Sequence, residues 1–194
     1  MKKTIIIIGI LSFLVFASAC SFINNELLGG DDKLSITKKN YLGKELKIDG
    51  YYLEDISEYS LEDMDDAYIG SYFFYQNGIL LNGRSRKNSL KEINEQEEKY
   101  KNGSYYKDVK DSKLSWGLFE IEEKTIRFQR WYPSSGGPLK AYVREGTIIN
   151  DTTFRITRSY RIVEEAKTEI RSKNELYRFK KLSPKPDSTN VFVN

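Results

Sequence analysis

The feature that most constrains this chain is a period-two alternation of apolar and polar residues, broken by turn residues about every 8 to 12 positions. Alternation of this kind is typical of strands that bury one face. Aromatic residues make up 13% of the chain and include 14 Tyr, which favours pleated, half-buried surfaces. The pattern predicts eight strands, at residues 46–54, 67–76, 79–83, 114–122, 125–132, 141–150, 152–163 and 175–182.

Local signals set the connections between these strands. Asn77-Gly78 tolerates the positive φ angles of a tight turn, so it predicts a hairpin between strands 67–76 and 79–83. One helix interrupts the series: Ser89 and Glu92 form a capping box, and Gly103 can end the helix. Its apolar stripe is narrow, and we expect it to lie across one rim of the sheet.

Short connections favour an antiparallel meander, whose exposed edges are removed when the sheet closes on itself. The predicted fold class is therefore mainly β: an up-and-down meander closing into a barrel, with one short helix. A two-sheet β-sandwich is the alternative.

The amino-terminal segment has a different sequence pattern from the rest of the chain. Lys2 and Lys3 precede an apolar run at residues 5–16, and the small residues Ala17-Ser18-Ala19 follow. This is the layout of a secretory signal peptide, and the run is shorter than the roughly 20 residues of a spanning helix. We therefore predict an exported protein.

Cys20 directly after Ala17-Ser18-Ala19 resembles the lipobox of bacterial lipoproteins. In that family the signal is cut before the cysteine, whose thiol carries diacylglycerol, and the new amino terminus is often acylated, for example with palmitate. The resemblance implies lipidation at Cys20 and a membrane-anchored protein of the cell envelope. The third residue before the cysteine is usually Leu and here is Ala17, so cleavage after Ala19 with a free Cys20 thiol is the alternative.

Removing residues 1–19 leaves 31 − 2 = 29 basic against 28 acidic side chains, a formal charge of +1 that does not indicate a nucleic-acid partner. The mature chain fits one domain. We predict a signal peptide at 1–19, a lipidated tether at 20–33, a barrel domain at 34–182 and a flexible tail at 183–194.

A second resemblance concerns the mature domain. Gly50-Tyr51-Tyr52 in the first long strand, the meander, and Arg178 in the last strand are similar to lipocalin or calycin barrels. In those barrels a Trp of the first strand packs under a basic residue of the last, and here Tyr52 stands in the place of that Trp. The resemblance implies a barrel that encloses a ligand.

Alternation also places charge on apolar faces. Arg130 shares the register of Ile126 and Phe128. Arg158 and Tyr160 share that of Phe154, and Glu145 that of Val143. If these faces point inward, the guanidinium groups of Arg130 and Arg158 must pair or bind an anion such as a carboxylate. A bulge that shifts the register, or side chains that reach solvent at strand ends, is the alternative.

Two further segments are candidate sites. Trp131 stands before the Ser134–Gly137 loop, which we predict to be a mobile lip over any cavity. The acidic run at residues 62–68 lacks the spacing of an EF-hand loop, so a solvated connection is favoured over a calcium site.

No catalytic motif is present. The chain has no His, no G-x-S-x-G elbow and no P-loop, so we expect neither an enzyme nor a cofactor; a hydrolase that uses paired carboxylates is the remote alternative. The favoured function is binding of a small apolar or anionic ligand by a lipid-anchored barrel. The competing function is a structural lipoprotein that docks on an envelope protein complex.

Overall fold

The structure is a computed structural model that describes residues 30–58, 68–83, 85–86, 90–105 and 109–193. Within these ranges eight antiparallel strands close into a barrel, and one helix and a separate two-stranded sheet lie outside it. The elements in chain order are β1 (Gly50–Glu54), β2 (Tyr68–Ile69), β3 (Ser71–Phe74), β4 (Ile79–Asn82), β5 (Ser85–Arg86), α1 (Leu90–Lys101), β6 (Trp116–Glu122), β7 (Thr125–Tyr132), β8 (Lys140–Asn150), β9 (Thr153–Val163) and β10 (Ala166–Lys181).

The barrel is an up-and-down meander. Each of its strands pairs with the next barrel strand along the chain, and β10 returns to pair with β1, while β2 and β5 form the outer sheet. This confirms the predicted mainly β fold and its closure, and excludes the two-sheet sandwich.

The Asn77-Gly78 hairpin is confirmed. β3 and β4 pair through Phe74 and Leu80, and Asn77 Oδ1 accepts a hydrogen bond from the Ile79 amide. Gly78 has a φ of +78°, and a Cβ added there would lie 2.2 Å from the Lys39 carbonyl oxygen. Both the left-handed backbone and this close approach require glycine.

An apolar cluster, called the floor below, fills one end of the barrel interior. The rings of Phe74 and Phe119 pack edge to face at 4.9 Å, and Phe154 stacks on Tyr177 at 4.9 Å. Leu46, from the segment before β1, is also buried in this cluster and closes the end of the barrel. The floor residues are Leu46, Tyr52, Phe74, Leu80, Phe119, Ile126, Phe128, Ile148, Phe154 and Ile156.

Tyr52 lies in this interior, as the calycin resemblance implies, and its hydroxyl donates to the Asp151 carbonyl. Arg178 does not pack against it. It stands opposite Leu53 on the outer face of β10 and pairs with Asp55. The barrel architecture is thus consistent with a lipocalin-like fold, but the aromatic–basic pair of that family does not form.

The outer wall is buried as well over part of the barrel. Tyr100 of α1 packs 4.9 Å from Phe73 and donates a hydrogen bond to the Gly83 carbonyl. The helix therefore lies against the outer wall beside β3 and not across a rim of the sheet, the position that the sequence predicts. It ends at Lys101, and Gly103 follows with a φ of +73°. The predicted capping box of Ser89 and Glu92 lies outside the side chains that the structure describes.

The carboxyl-terminal segment, predicted as a flexible tail, packs against the barrel, with Lys185 bonded at the closed end and Leu182 and Val193 in the cluster on the outer wall. Leu182 and Val193 are buried, and Tyr75 donates a hydrogen bond to the Pro186 carbonyl. Lys185 donates to the carbonyls of Ile48 and Phe74 at 2.6 Å each. Residues 182–193, called the tail strap below, thus join the last strand to the barrel floor.

Candidate functional site

The other end of the barrel holds a cavity of about 430 Å³. It opens beside Pro133, at the end of β7, and its depth ends at the apolar floor. Its wall is polar and charged to a degree that barrel interiors rarely tolerate without compensation. The side chains that carry the argument below are Glu54, Arg130, Tyr132, Arg144, Glu175 and Tyr177.

Strand register explains why these side chains converge. Arg130 and Tyr132 follow Phe128 at intervals of two on β7, so all three point inward. Arg144 stands directly opposite Phe128 on β8, and residues opposite each other share a face. Tyr177 pairs with the inward-facing Phe154.

Arg144 and Glu175 form a buried ion pair across the cavity. Both Nη atoms of Arg144 donate to the carboxylate, Nη2 to Oε1 at 3.2 Å and Nη1 to Oε2. The Tyr177 hydroxyl donates to Glu175 Oε2 at 3.1 Å and accepts from Arg144 Nη1 at 3.3 Å. Burial raises the pKa of Tyr177 well above its ordinary value, so the phenol stays neutral and remains a donor.

Arg130 has a different environment. Its Nη1 donates only long hydrogen bonds, at 3.3 Å, to the carbonyls of Leu114 and Trp131, and its guanidinium lies 3.8 Å from the centre of the Tyr132 ring. No ion pair of the described residues involves Arg130. Its charge is held in the wall by carbonyl dipoles and a ring face, which leaves it available to an anion.

Unsatisfied polar atoms mark the same place. Among the side chains that the structure describes, three buried nitrogen or oxygen atoms lack a hydrogen-bond partner: Arg130 Nε, Arg144 Nε and Tyr132 Oη. All three belong to residues that line this one cavity. A buried donor without a partner costs about 1–3 kcal/mol, so these atoms require acceptors from inside the cavity, which water or a ligand can supply.

The cavity wall is electropositive around Tyr132. Burial by itself would raise the pKa of this phenol, but the charges of Arg130 and Arg144 outweigh burial and lower it. The two guanidinium groups would stabilise any negative charge placed beside the Tyr132 hydroxyl in the same way.

The structure does not place Arg158 and Tyr160 inward, and it shows the stated alternative, a bulge that shifts the register. Gly146 pairs with Ile156 and Glu145 pairs with Arg158, so Thr157 is an extra residue in β9. This β-bulge reverses the faces of the strand beyond it. Phe154 and Ile156 point inward, whereas Arg158 and Tyr160 point outward.

Glu145 is also on the outer wall, because it alternates with the inward-facing Arg144. The structure brings the three residues together there: Arg158 Nε and the Tyr160 hydroxyl each donate to the Glu145 carboxylate at 2.8 Å. Burial opposes the ionisation of Glu145, but these two donors lower its pKa overall. The cluster satisfies its own charges on the outside of the barrel. A ligand role for these three residues stays a prediction, without support from the cavity.

Trp131 lies on the outer face of β7. Its Nε1 donates to the Asp32 carbonyl at 2.6 Å, and Lys113 Nζ lies 4.4 Å from the ring centre. The neighbouring Tyr132, which the sequence did not single out, occupies the cavity instead. The Ser134–Gly137 loop connects β7 to β8 at the open end, where a lip would have to be; its mobility stays a prediction.

The sequence did not single out Arg144, Glu175, Tyr132 or Tyr177. For Arg144 the reason is the face that alternation assigned to β8. The apolar residues Ala141 and Val143 suggested that their face of β8 points inward. Both are buried, but on the outer wall, where Ala141 packs in a cluster with Ile36 and Trp131. The one available signal was Tyr132, two residues beyond Arg130 in the same register.

The described residues contain no group of three or more acidic, cysteine or histidine side chains placed to hold a metal ion. Residues 62–67 of the acidic run, considered above for calcium, lie outside the described residues. No helix in the described ranges has the length and apolar content needed to cross a bilayer.

Comparison with known proteins adds no family to these observations: no protein-family model, no curated protein and no solved structure gives a significant match to the chain.

Proposed function

We propose that this protein is a lipid-anchored cell-envelope protein whose barrel binds a small anionic molecule in the cavity beside Arg130 and Arg144. The observation that carries the proposal is the convergence of three unpartnered buried polar atoms, two of them guanidinium nitrogens, on a single cavity. A carboxylate or phosphate oxygen would accept from Arg130 Nε and Arg144 Nε.

The cavity limits the size of the ligand. At about 30 Å³ per water molecule, 430 Å³ corresponds to about fourteen waters, which is enough for a headgroup or a short organic acid. The filled floor leaves no depth for a long acyl chain. The anionic part of the predicted ligand is therefore the part that enters, and any long apolar part stays outside.

The floor also favours a second function. A barrel whose lower half is packed, and whose outer wall is partly covered, resembles a structural domain more than a deep lipid carrier. In that alternative, the protein is a non-enzymatic lipoprotein that docks on an envelope complex, and the cavity residues only stabilise the fold.

A substitution on each face of β7 separates the two functions. Arg130→Met removes the inward guanidinium, and the matched control Arg127→Met removes the outward guanidinium that pairs with Glu120. The probes are inorganic phosphate and octanoate, titrated calorimetrically into the full mature chain in detergent. A lost charge-assisted hydrogen bond weakens binding about 10- to 100-fold, so we expect that loss for Arg130→Met and none for the control. Equal binding by both variants, or no binding by the parent, would favour the structural function.

The identity of the natural ligand requires native mass spectrometry of protein taken from its own membrane. We expect a co-purifying anionic molecule in the parent and in Arg127→Met, and its absence in Arg130→Met. A co-purifying protein, with an empty cavity, would favour docking on a complex.

The anchor is tested independently of the cavity. Two acyl chains bind a membrane durably, whereas one binds only marginally, so Cys20→Ala should move the protein from the membrane to the soluble fraction. Unchanged fractionation would contradict lipidation at Cys20.

A further inference from the structure

The first described residues of the chain are bonded to the rim of the cavity. Asp32 accepts from Arg161 Nε and Nη2 at 2.6 Å each and from the Ala141 amide at 2.9 Å. Its own amide donates to the Leu139 carbonyl at 2.9 Å. Five hydrogen bonds, counting that from Trp131 to its carbonyl, fix this residue to the start of β8 and to the neighbouring strands β7 and β9.

Asp31 reinforces the attachment. Its carboxylate accepts from the Leu139 amide and from Lys113 Nζ, both at 2.8 Å. These partners lower the pKa of the Asp31 carboxyl, so the attachment is ionised and intact at neutral pH. Asp31 and Asp32, which fall in the segment predicted as a tether at residues 20–33, are thus bonded to the barrel.

The attachment and the cavity mouth share one rim. Trp131 stands opposite Ala141 and Tyr132 opposite Lys140, so the residues that hold Asp32 are direct neighbours of the residues that line the cavity. The opposite end of the barrel is closed by the floor, by the turn at Asn150–Thr152 and by the tail strap.

From this shared rim we infer that the cavity mouth faces the membrane and that the bound molecule is exchanged with the bilayer surface. The inference rests on the proposed anchor at Cys20 and on the proposed anion site. The shared chemistry is an anionic oxygen group, carboxylate or phosphate, which a lipid headgroup or a free solute could present.

Chain length supports the orientation. Nine residues lie between Cys20 and Gly30, and the ten residue steps of a tether with this polar and glycine content have a root-mean-square span of about 16–19 Å and a limit of about 35 Å. The barrel is about 28 Å tall, from the eleven residues of β8 at about 3.3 Å each and a tilt near 40°. To turn the mouth away, the tether would have to run the height of the barrel, which uses most of its full length. Orientations with the mouth near the bilayer leave it relaxed.

Single-cysteine labelling tests the orientation, because Cys20 is the only cysteine in the chain and is acylated in the anchored protein. A fluorophore is attached at Ser135→Cys, in the exposed loop at the mouth, or at Lys124→Cys, in the exposed turn at the closed end. The full lipidated chain is reconstituted in phosphatidylcholine vesicles that carry a quencher in the headgroup region. We expect the Ser135 probe to be quenched several-fold more than the Lys124 probe. Equal quenching, or stronger quenching at Lys124, would overturn the inference.

A matched control removes the constraint without touching the domain. Insertion of about twenty Gly and Ser residues after Gly29 lengthens the tether, and the difference between the two probes should then largely disappear. A difference that persists would show that the rim itself, not the tether, holds the orientation, and would overturn the tether argument.

The source of the ligand is tested in the same vesicles. The Ser135 probe should respond to phosphatidylglycerol in the bilayer more strongly than to an equal amount of soluble glycerol phosphate, and the response should be lost in Arg130→Met. An equal response to the soluble anion would overturn exchange with the bilayer while leaving the anion site intact. No response to either phosphatidylglycerol or glycerol phosphate would instead contradict the proposed anion site, so the two failures are distinguishable.

Discussion

Replacing Glu175 with Gln should destabilise the barrel, because the buried guanidinium of Arg144 is then left without a compensating negative charge. The substitution keeps the size of the side chain, but it replaces one acceptor oxygen by an amide NH2 group and removes the charge that faces Arg144. Removing one partner of a buried ion pair costs about 3–5 kcal/mol. The side chains of Arg144 and Glu175 retain 15% and 11% exposure, and the cavity admits water, so we expect about 3 kcal/mol.

The assay is urea unfolding of the mature chain in detergent, followed by tryptophan fluorescence. With a denaturant dependence of about 2 kcal/mol/M, 3 kcal/mol lowers the midpoint by about 1.5 M. The double variant Arg144→Met, Glu175→Gln removes both charges and should recover to within about 1 kcal/mol of the parent. Glu122→Gln, which removes an exposed partner of Arg127, is the control and should cost less than about 0.5 kcal/mol.

The same variant connects stability to the anion site. Loss of the Glu175 charge releases both Nη atoms of Arg144 toward the cavity, so phosphate should stabilise Glu175→Gln more than it stabilises the parent. At ten times its dissociation constant, phosphate adds about 1.4 kcal/mol. A midpoint equal to that of the parent, or one insensitive to phosphate, would refute the reasoning that Arg144 is a buried cation held by Glu175.

Two further outcomes follow from the closed end and from the cavity wall. Burial lowers the pKa of Lys185 to about 8, so between about pH 8 and 9.5 the unfolded chain binds more protons than the folded chain. The free energy of unfolding should therefore rise by about 1.5 kcal/mol across this window. Lys185→Met should abolish the rise, as measured by urea titrations at each pH. Gly70→Ala would place a methyl group 2.6 Å from Tyr177 Oη inside the cavity. We expect the free energy of unfolding to fall by about 1–3 kcal/mol and phosphate binding, measured by calorimetry, to weaken. Gly30→Ala is the control and should change neither quantity, because Gly30 has open space around it.

Much of the fold was predictable because its determinants are local. Asn77-Gly78 specifies a tight turn by its backbone preferences, and the alternation in residues 125–132 matches β7 residue for residue. Short connections leave closure as the simplest way to pair both edges. The tail strap was not predictable, since its contacts join Tyr75 to Pro186 over 111 positions and leave no periodic pattern.

The site was only partly predictable because burial does not identify the inside of this barrel. Phe128 points inward and Trp131 outward on the same strand, yet both are buried, since residues 30–36 cover the outer face. Alternation therefore located Arg130 correctly and assigned β8 the wrong face. For Arg158 and Tyr160 the sequence left an inward face and a bulge both open, because the bulge at Thr157 carries no Gly or Pro of the kind that often marks such an irregularity.

The filled floor has a consequence for traffic through the molecule. A barrel that is open at both ends forms a channel, through which a solute can pass. This barrel is closed at one end by about ten packed side chains of the floor and by the tail strap. A molecule in this cavity therefore has to enter and leave by the open end, so the proposed ligand would be taken up and released at the same mouth.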